Sequence, residues 1–346
     1  MTTLERCVMP GATSFEGATV EIAAIGCAAH AVLDARAEGR VLAVFRRSFY
    51  AVFDDDVVCV GPPQLGRGPL NLLCTRRDGI AWADGGIDAN AAVSCLDSAL
   101  EVGGRVRFDF RAADVWRPPS AIAWTPASVV AGLDRLARKA LLRKPGGFAA
   151  LLARHMHDAD GGVCESDDVL LHTARPAADA LRDWLAATLA GAAVPAPPVA
   201  ALVGLGPGLT PSGDDFLGGA MIALHHFGRR DVAHRLAAAV LPIAARDTSL
   251  ISAAYLRCAA RGEGADVLFA ALDCVAVADD AAMDERLDAI DAVGHTSGWD
   301  CLAGAALACG ALQASARSTS TASSAACAFE GAATMPASSS CATCRE

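Results

Sequence analysis

Hydrophobic positions along the chain change their period near residue 117. Before that point they fall in short runs broken by charges and glycines: Val41-Leu-Ala-Val-Phe45, Ser48-Phe-Tyr-Ala-Val-Phe53, Val57-Val-Cys-Val60, Pro69-Leu-Asn-Leu-Leu-Cys74, Ile80-Ala-Trp82 and Arg105-Val-Arg-Phe-Asp-Phe110. Short runs rich in β-branched and aromatic residues, with turn residues between them, predict strands. Residues 18–37, rich in alanine, read instead as a small-residue helix. After Trp116-Arg-Pro-Pro119 the spacing becomes helical. Val130, Leu133, Leu136, Ala137 and Leu141 mark one face of a helix over 127–143. Further helices are predicted near 148–157, 177–189, 213–228, 231–245, 249–260, 266–276, 284–292 and 298–313. The fold class is α+β: a β-rich N-terminal domain (1–117), then a mostly α-helical domain (118–314). From about Ser315 the chain is dominated by Ser, Thr, Ala and Cys, and 315–346 reads as a disordered tail.

Composition narrows the function. Hydrophobic residues are 53% and charged residues 20% of 346, ample for a large core. The net charge of -10 argues against nucleic acid, because phosphate backbones select basic faces. No run of about twenty apolar residues suggests a membrane span. The start, Met1-Thr-Thr-Leu-Glu-Arg6, lacks the apolar stretch of a signal peptide. Thirteen scattered cysteines then fit a reducing cytoplasm. Cys341-Ala-Thr-Cys344 is a lone C-x-x-C, and neither His225-His226 nor His155 with His157 comes with carboxylates at metal spacing, so no metal site is assigned.

The chemistry concentrates in Gly204-Leu-Gly-Pro-Gly-Leu-Thr-Pro-Ser-Gly-Asp-Asp-Phe-Leu-Gly-Gly219. Gly206 and Gly208 permit positive φ and leave backbone N–H groups uncovered. Ser212 stands where an N-cap belongs, with Asp215 three residues on, as in a capping box. A helix N-terminus with open N–H groups attracts small anions. Gly206, Gly208, Thr210, Ser212 and Gly213 are therefore candidate substrate-binding residues. P-loop spacing runs from Gly208 to Gly213, but Asp214-Asp215 replaces the Lys-Ser/Thr that nucleotide phosphates require. The two acids suit Mg²⁺ coordination or, equally, acceptance of an amide or carbamoyl NH₂. With Asp215 assigned to capping and substrate contact, Asp214 becomes the catalytic candidate.

Part of the run recurs. Ser212–Ala220 and Ser297–Ala305 share the pattern S-G-x-D-x-L-x-G-A. The repeat predicts that the loop 204–213 and the helix start near 298 line one cavity. Thr296, Ser297 and Asp300 join the binding candidates, and His295, beside them, is a candidate general acid or base. Arg246-Asp-Thr-Ser249 opens another helix; Arg246 is suited to clamp a carboxylate, with Thr248 or Ser249 as cap.

Gly204–Gly219, with Thr248-Ser-Leu-Ile-Ser252 and Gly294-His-Thr-Ser-Gly-Trp-Asp300, resembles the H subunit of oxamate carbamoyltransferase, the AllH family. The resemblance spans roughly 15–315 and is weakest at the N-terminal end. It implies a transferase subunit in anaerobic allantoin breakdown, part of purine catabolism. Oxalurate is there split by phosphate into oxamate and carbamoyl phosphate, with FdrA-like and AllG-like subunits as partners. A non-catalytic scaffold subunit and a Mg²⁺-dependent hydrolase of a small phosphate or amide are the competing readings.

Overall fold

The computed structural model describes residues 17–75, 86–143, 145–156 and 169–330, with side chains given to 152 and, at the C-terminal end, to 316. The expected strand at Ile80–Trp82, His157 and the cysteines of the C-x-x-C lie outside these residues.

The N-terminal half is built from β1 (Ala18–Gly26), α1 (Cys27–Ala35), β2 (Glu38–Val44), β3 (Phe49–Phe53), β4 (Asp56–Gly61), β5 (Asn71–Cys74), β6 (Ala92–Leu96), β7 (Ala99–Val102), β8 (Val106–Asp109) and β9 (Asp114–Trp116). The strand order is β5-β4-β3-β2-β6-β7-β8-β1-β9, and β1 also pairs antiparallel with β5. That last pairing closes the sheet into a barrel, which removes exposed strand edges. Phe49, Phe53, Leu100 and Phe108 are fully enclosed within it.

The small-residue helix expected over 18–37 is wrong in its first half. Val20, Ile22 and Ala24 are buried while Thr19, Glu21 and Ala23 are exposed. This is period-two burial, which the alanine-rich composition obscures. Pairing with β8 on one side and β5 on the other outweighs the helical preference of the alanines.

The C-terminal half is helical: α2 (Pro126–Arg143), a three-ten segment (Gly147–Met156), α3 (Val169–Leu189), α4 (Ser212–His226), α5 (Arg230–Asp247), α6 (Leu250–Ala259), α7 (Asp266–Val277), α8 (Asp280–Asp291) and α9 (Ser297–Glu330). The α-helix expected at 148–157 is thus three-ten, and α9 runs past the expected boundary at 314. On α2 the buried face is Val129, Leu133, Leu136, Ala137 and Ala140, whereas Leu141 is exposed. Helix α4 sits at the centre: of its fifteen residues all but Asp215 and His225 are buried. Its backbone can approach α9 closely because both helices carry glycine at the crossing.

The two halves meet along a seam. Ala28, Val52, Val57 and Leu70 of the barrel half pack against Ile251, Ala254 and Cys258 of α6. The Asp266 N–H donates to the Arg67 carbonyl at 2.9 Å, and Arg257 donates to the Asp55 carbonyl at 2.6 Å.

Candidate functional site

A cavity of about 480 Å³ opens in this seam. Arg47, Ser48, Tyr50, Cys59, Gln64 and Asn71 line it from the barrel side, and Thr210, Asp214, Asp215, Ser252, Tyr255, Asp266 and Ser297 from the helical side.

Helix α4 begins one residue earlier than its capping pattern suggests. Pro211 is the N-cap, and its carbonyl accepts the Asp214 and Asp215 N–H groups. Gly213 N–H donates to the Leu205 carbonyl. The expected Ser212–Asp215 capping box therefore does not form, and these first-turn donors are already satisfied. Proline's fixed φ suits the entry to the helix, which leaves the Ser212 hydroxyl free for other work.

The two adjacent acids have different surroundings, as a rotation of about 100° between them requires. Asp214 is 2% exposed, and its carboxylate accepts three donors: Gly204 N–H at 2.8 Å, Ser252 Oγ at 2.6 Å and Thr248 Oγ1. It organises the loop and the start of α6 while touching the cavity. Asp215 lines the cavity; its Oδ2, like that of Asp300, is buried and meets no donor among the described residues. Burial pushes its carboxyl well above the usual carboxylate range; Asp300 and Asp214 add to the push, and the hydroxyls of Ser297 and Thr210 oppose it. Those two hydroxyls lie 3.1 Å apart, so the start of α9 and the end of the glycine loop meet at one wall, as the repeat predicts.

The repeat is structural as well as textual. Each copy places its fourth-position acid beside the first-position serine of the other: Asp215 beside Ser297, and Asp300 beside Ser212. Each copy also presses its eighth-position glycine onto the other helix. A Cβ on Gly219 would lie 1.8 Å from the Cys301 carbonyl oxygen, and one on Gly304 would lie 1.8 Å from that of Phe216. The second-position glycines do the same job against earlier segments, Gly213 on the Leu202 carbonyl and Gly298 on that of Ile290. The third position differs: Trp299 donates its indole N–H to Asp291, where the first copy has Asp214.

The other candidates sit around this centre. Gly206, at φ +117°, covers Ser212; Gly208, at φ +98°, borders open space. Ser249 caps α6, accepting the Ser252 N–H and donating to the Leu209 carbonyl. Thr296 and the 1%-exposed Asp300 lie behind the cavity wall, and the Thr296 carbonyl accepts the Asp300 N–H. Two candidates lie apart. His295 is exposed, and Arg246 projects to solvent with Asp247 as its ion-pair partner. Among the described residues no group of three or more His, Cys, Asp or Glu side chains is arranged to hold a metal ion.

Sequence reasoning missed the barrel wall. Tyr50 and Tyr255 are the only tyrosines of the chain, and both line the cavity. Burial raises both phenols, and it pushes the Cys59 thiol beside them up to about 12. All three stay protonated near neutral pH and offer hydrogen-bond donors. Only the rarity of tyrosine hinted at the pair.

No described helix is long and apolar enough to cross a membrane. No solved structure matches the chain. Residues 202–309 contain every cavity residue named above from the helical side, and they match the family model of the oxamate carbamoyltransferase subunit AllH.

Proposed function

We propose that the chain is a subunit of an oxamate carbamoyltransferase-type complex and that the seam cavity holds its small carbamoyl-bearing substrate. The observation that carries this reading is the position of the cavity. The segment matching the AllH model supplies all four of its acids, and the barrel supplies the opposite wall. Four carboxyl groups line it, Asp214, Asp215, Glu263 and Asp266, with Arg47 as the one cation among the described lining residues. A doubly charged phosphate is a poor fit beside so many carboxyls. A monoanion with an amide end fits better, with its carboxylate toward Arg47 and its N–H groups toward the acids. Oxamate and oxalurate have that form. In this reading Asp214, which accepts the Ser252 hydroxyl, holds the loop in place, and Tyr50 and Tyr255 supply donors to substrate carbonyls.

The partners are FdrA-like and AllG-like subunits, the setting is anaerobic allantoin catabolism in the cytoplasm, and the net reaction is oxalurate plus phosphate giving oxamate plus carbamoyl phosphate. The test is phosphorolysis of oxalurate by the reconstituted complex, leaving out each subunit in turn. Loss of carbamoyl phosphate formation without this chain supports the assignment. Full activity without it overturns the assignment.

A further inference from the structure

The duplicated helix start gives the cavity an internal reference. Asp300 is the counterpart of Asp215, since both hold the fourth position of the repeat and both face the other copy's serine. Asp300 already has a backbone partner at one oxygen, although its Oδ2, like that of Asp215, is buried without a donor among the described residues. The Phe148 N–H donates to Asp300 Oδ1 at 2.6 Å, and Gly147 lies so near that a Cβ there would be 2.2 Å from the same oxygen. The chain's own peptide at 147–148 thus occupies Oδ1 of the second copy's acid. No described backbone amide enters beside Asp215. There the side chain lines the cavity instead, with no peptide of the chain against it among the described residues.

We propose that Asp215 receives an amide N–H from the ligand, just as Asp300 receives the Phe148 amide, so that the cavity selects small primary amides and ureides over carboxylates of the same shape. The proposal rests on the function proposed above and deepens it by assigning the end of the substrate that enters first. A buried carboxylate without a donor is costly, and a ligand N–H removes that cost. Burial already holds the Asp215 carboxyl well above its ordinary range. An N–H donor favours the ionised form, so binding through it expels a proton from any Asp215 that is protonated beforehand.

The experiment is titration calorimetry of the full chain with oxamate, oxalate and N,N-dimethyloxamate, repeated in buffers of different ionisation enthalpy. Oxamate should bind with net proton release, and the other two should bind weaker by roughly tenfold or more. Asp215→Asn should weaken oxamate by a similar factor and abolish the proton release. Oxalate binding as tightly as oxamate overturns the proposal, and so does absence of oxamate binding to the unaltered chain. So does an unchanged affinity in Asp215→Asn. Should that variant fail to fold, the analogue series and the proton release on the unaltered chain still decide. The function reading fails separately: a chain that binds oxamate through Asp215 but is dispensable for phosphorolysis keeps this inference and loses the complex assignment.

Discussion

The Asp214 carboxylate accepts the Gly204 N–H at 2.8 Å, which ties the first residue of the glycine loop to the helix that follows it. The same carboxylate holds Thr248 and Ser252 at the start of α6. One buried acid therefore fixes three chain segments at the cavity. Asp214→Ala would strand a backbone N–H and two hydroxyls, each costing about 1–3 kcal/mol when left unmade. We expect a loss of roughly 3 kcal/mol or more by denaturant unfolding. A change below about 1 kcal/mol would show that water replaces the carboxylate.

Asp215→Asn should act in the opposite direction on stability. The folded-state carboxyl lies above its unfolded value, so the folded chain binds the proton more tightly. Stability is then fully present below the unfolded value, near pH 4, and declines as pH rises toward the raised folded value. An amide at this position removes the decline. The variant should melt higher than the parent at pH 7, and the difference should shrink toward pH 4. Melting curves across that range check it; a variant that is less stable at pH 7 would refute the sign.

Adjacent glycines on α4 should respond unequally to alanine. At Gly218 a Cβ meets the Ala259 methyl at 3.7 Å, an ordinary contact, and the change should stabilise by up to about 1 kcal/mol through helix propensity. At Gly219 the Cβ collides with the Cys301 carbonyl, and overpacking there should cost about 3 kcal/mol or more. Urea unfolding of the two variants side by side gives the comparison.

Arg47→Met should weaken binding of oxamate about two- to fivefold, the size of an exposed charge contribution, and flatten its salt dependence. Binding of a neutral amide such as acetamide should not change. Equal losses for both ligands would place Arg47 in the architecture of the mouth instead of in carboxylate recognition.

The helical half is legible in the sequence because its period is clear over long stretches, as on α2 and α5, and the repeat at Ser212 and Ser297 announces the meeting of α4 and α9. The barrel is less so. β1 is masked by alanine, and the β1–β5 pairing that closes the sheet joins residues about fifty positions apart with no local signal. The surroundings of the two acids turn on a one-residue shift: capping preferences favour Ser212 as the cap, yet Pro211 takes that position and frees Ser212 to face Asp300. The pairing of Tyr50 with Tyr255 across the seam depends on how the halves dock, which no local pattern encodes.

The seam position of the cavity carries a thermodynamic consequence. A molecule gripped by Arg47 on one side and Asp215 on the other stabilises only the state in which barrel and helices are both folded and docked. Occupancy therefore links the unfolding of the two halves. That coupling adds to the one the shared seam core already provides, and near saturation the halves should melt together at a temperature that climbs with the logarithm of ligand concentration.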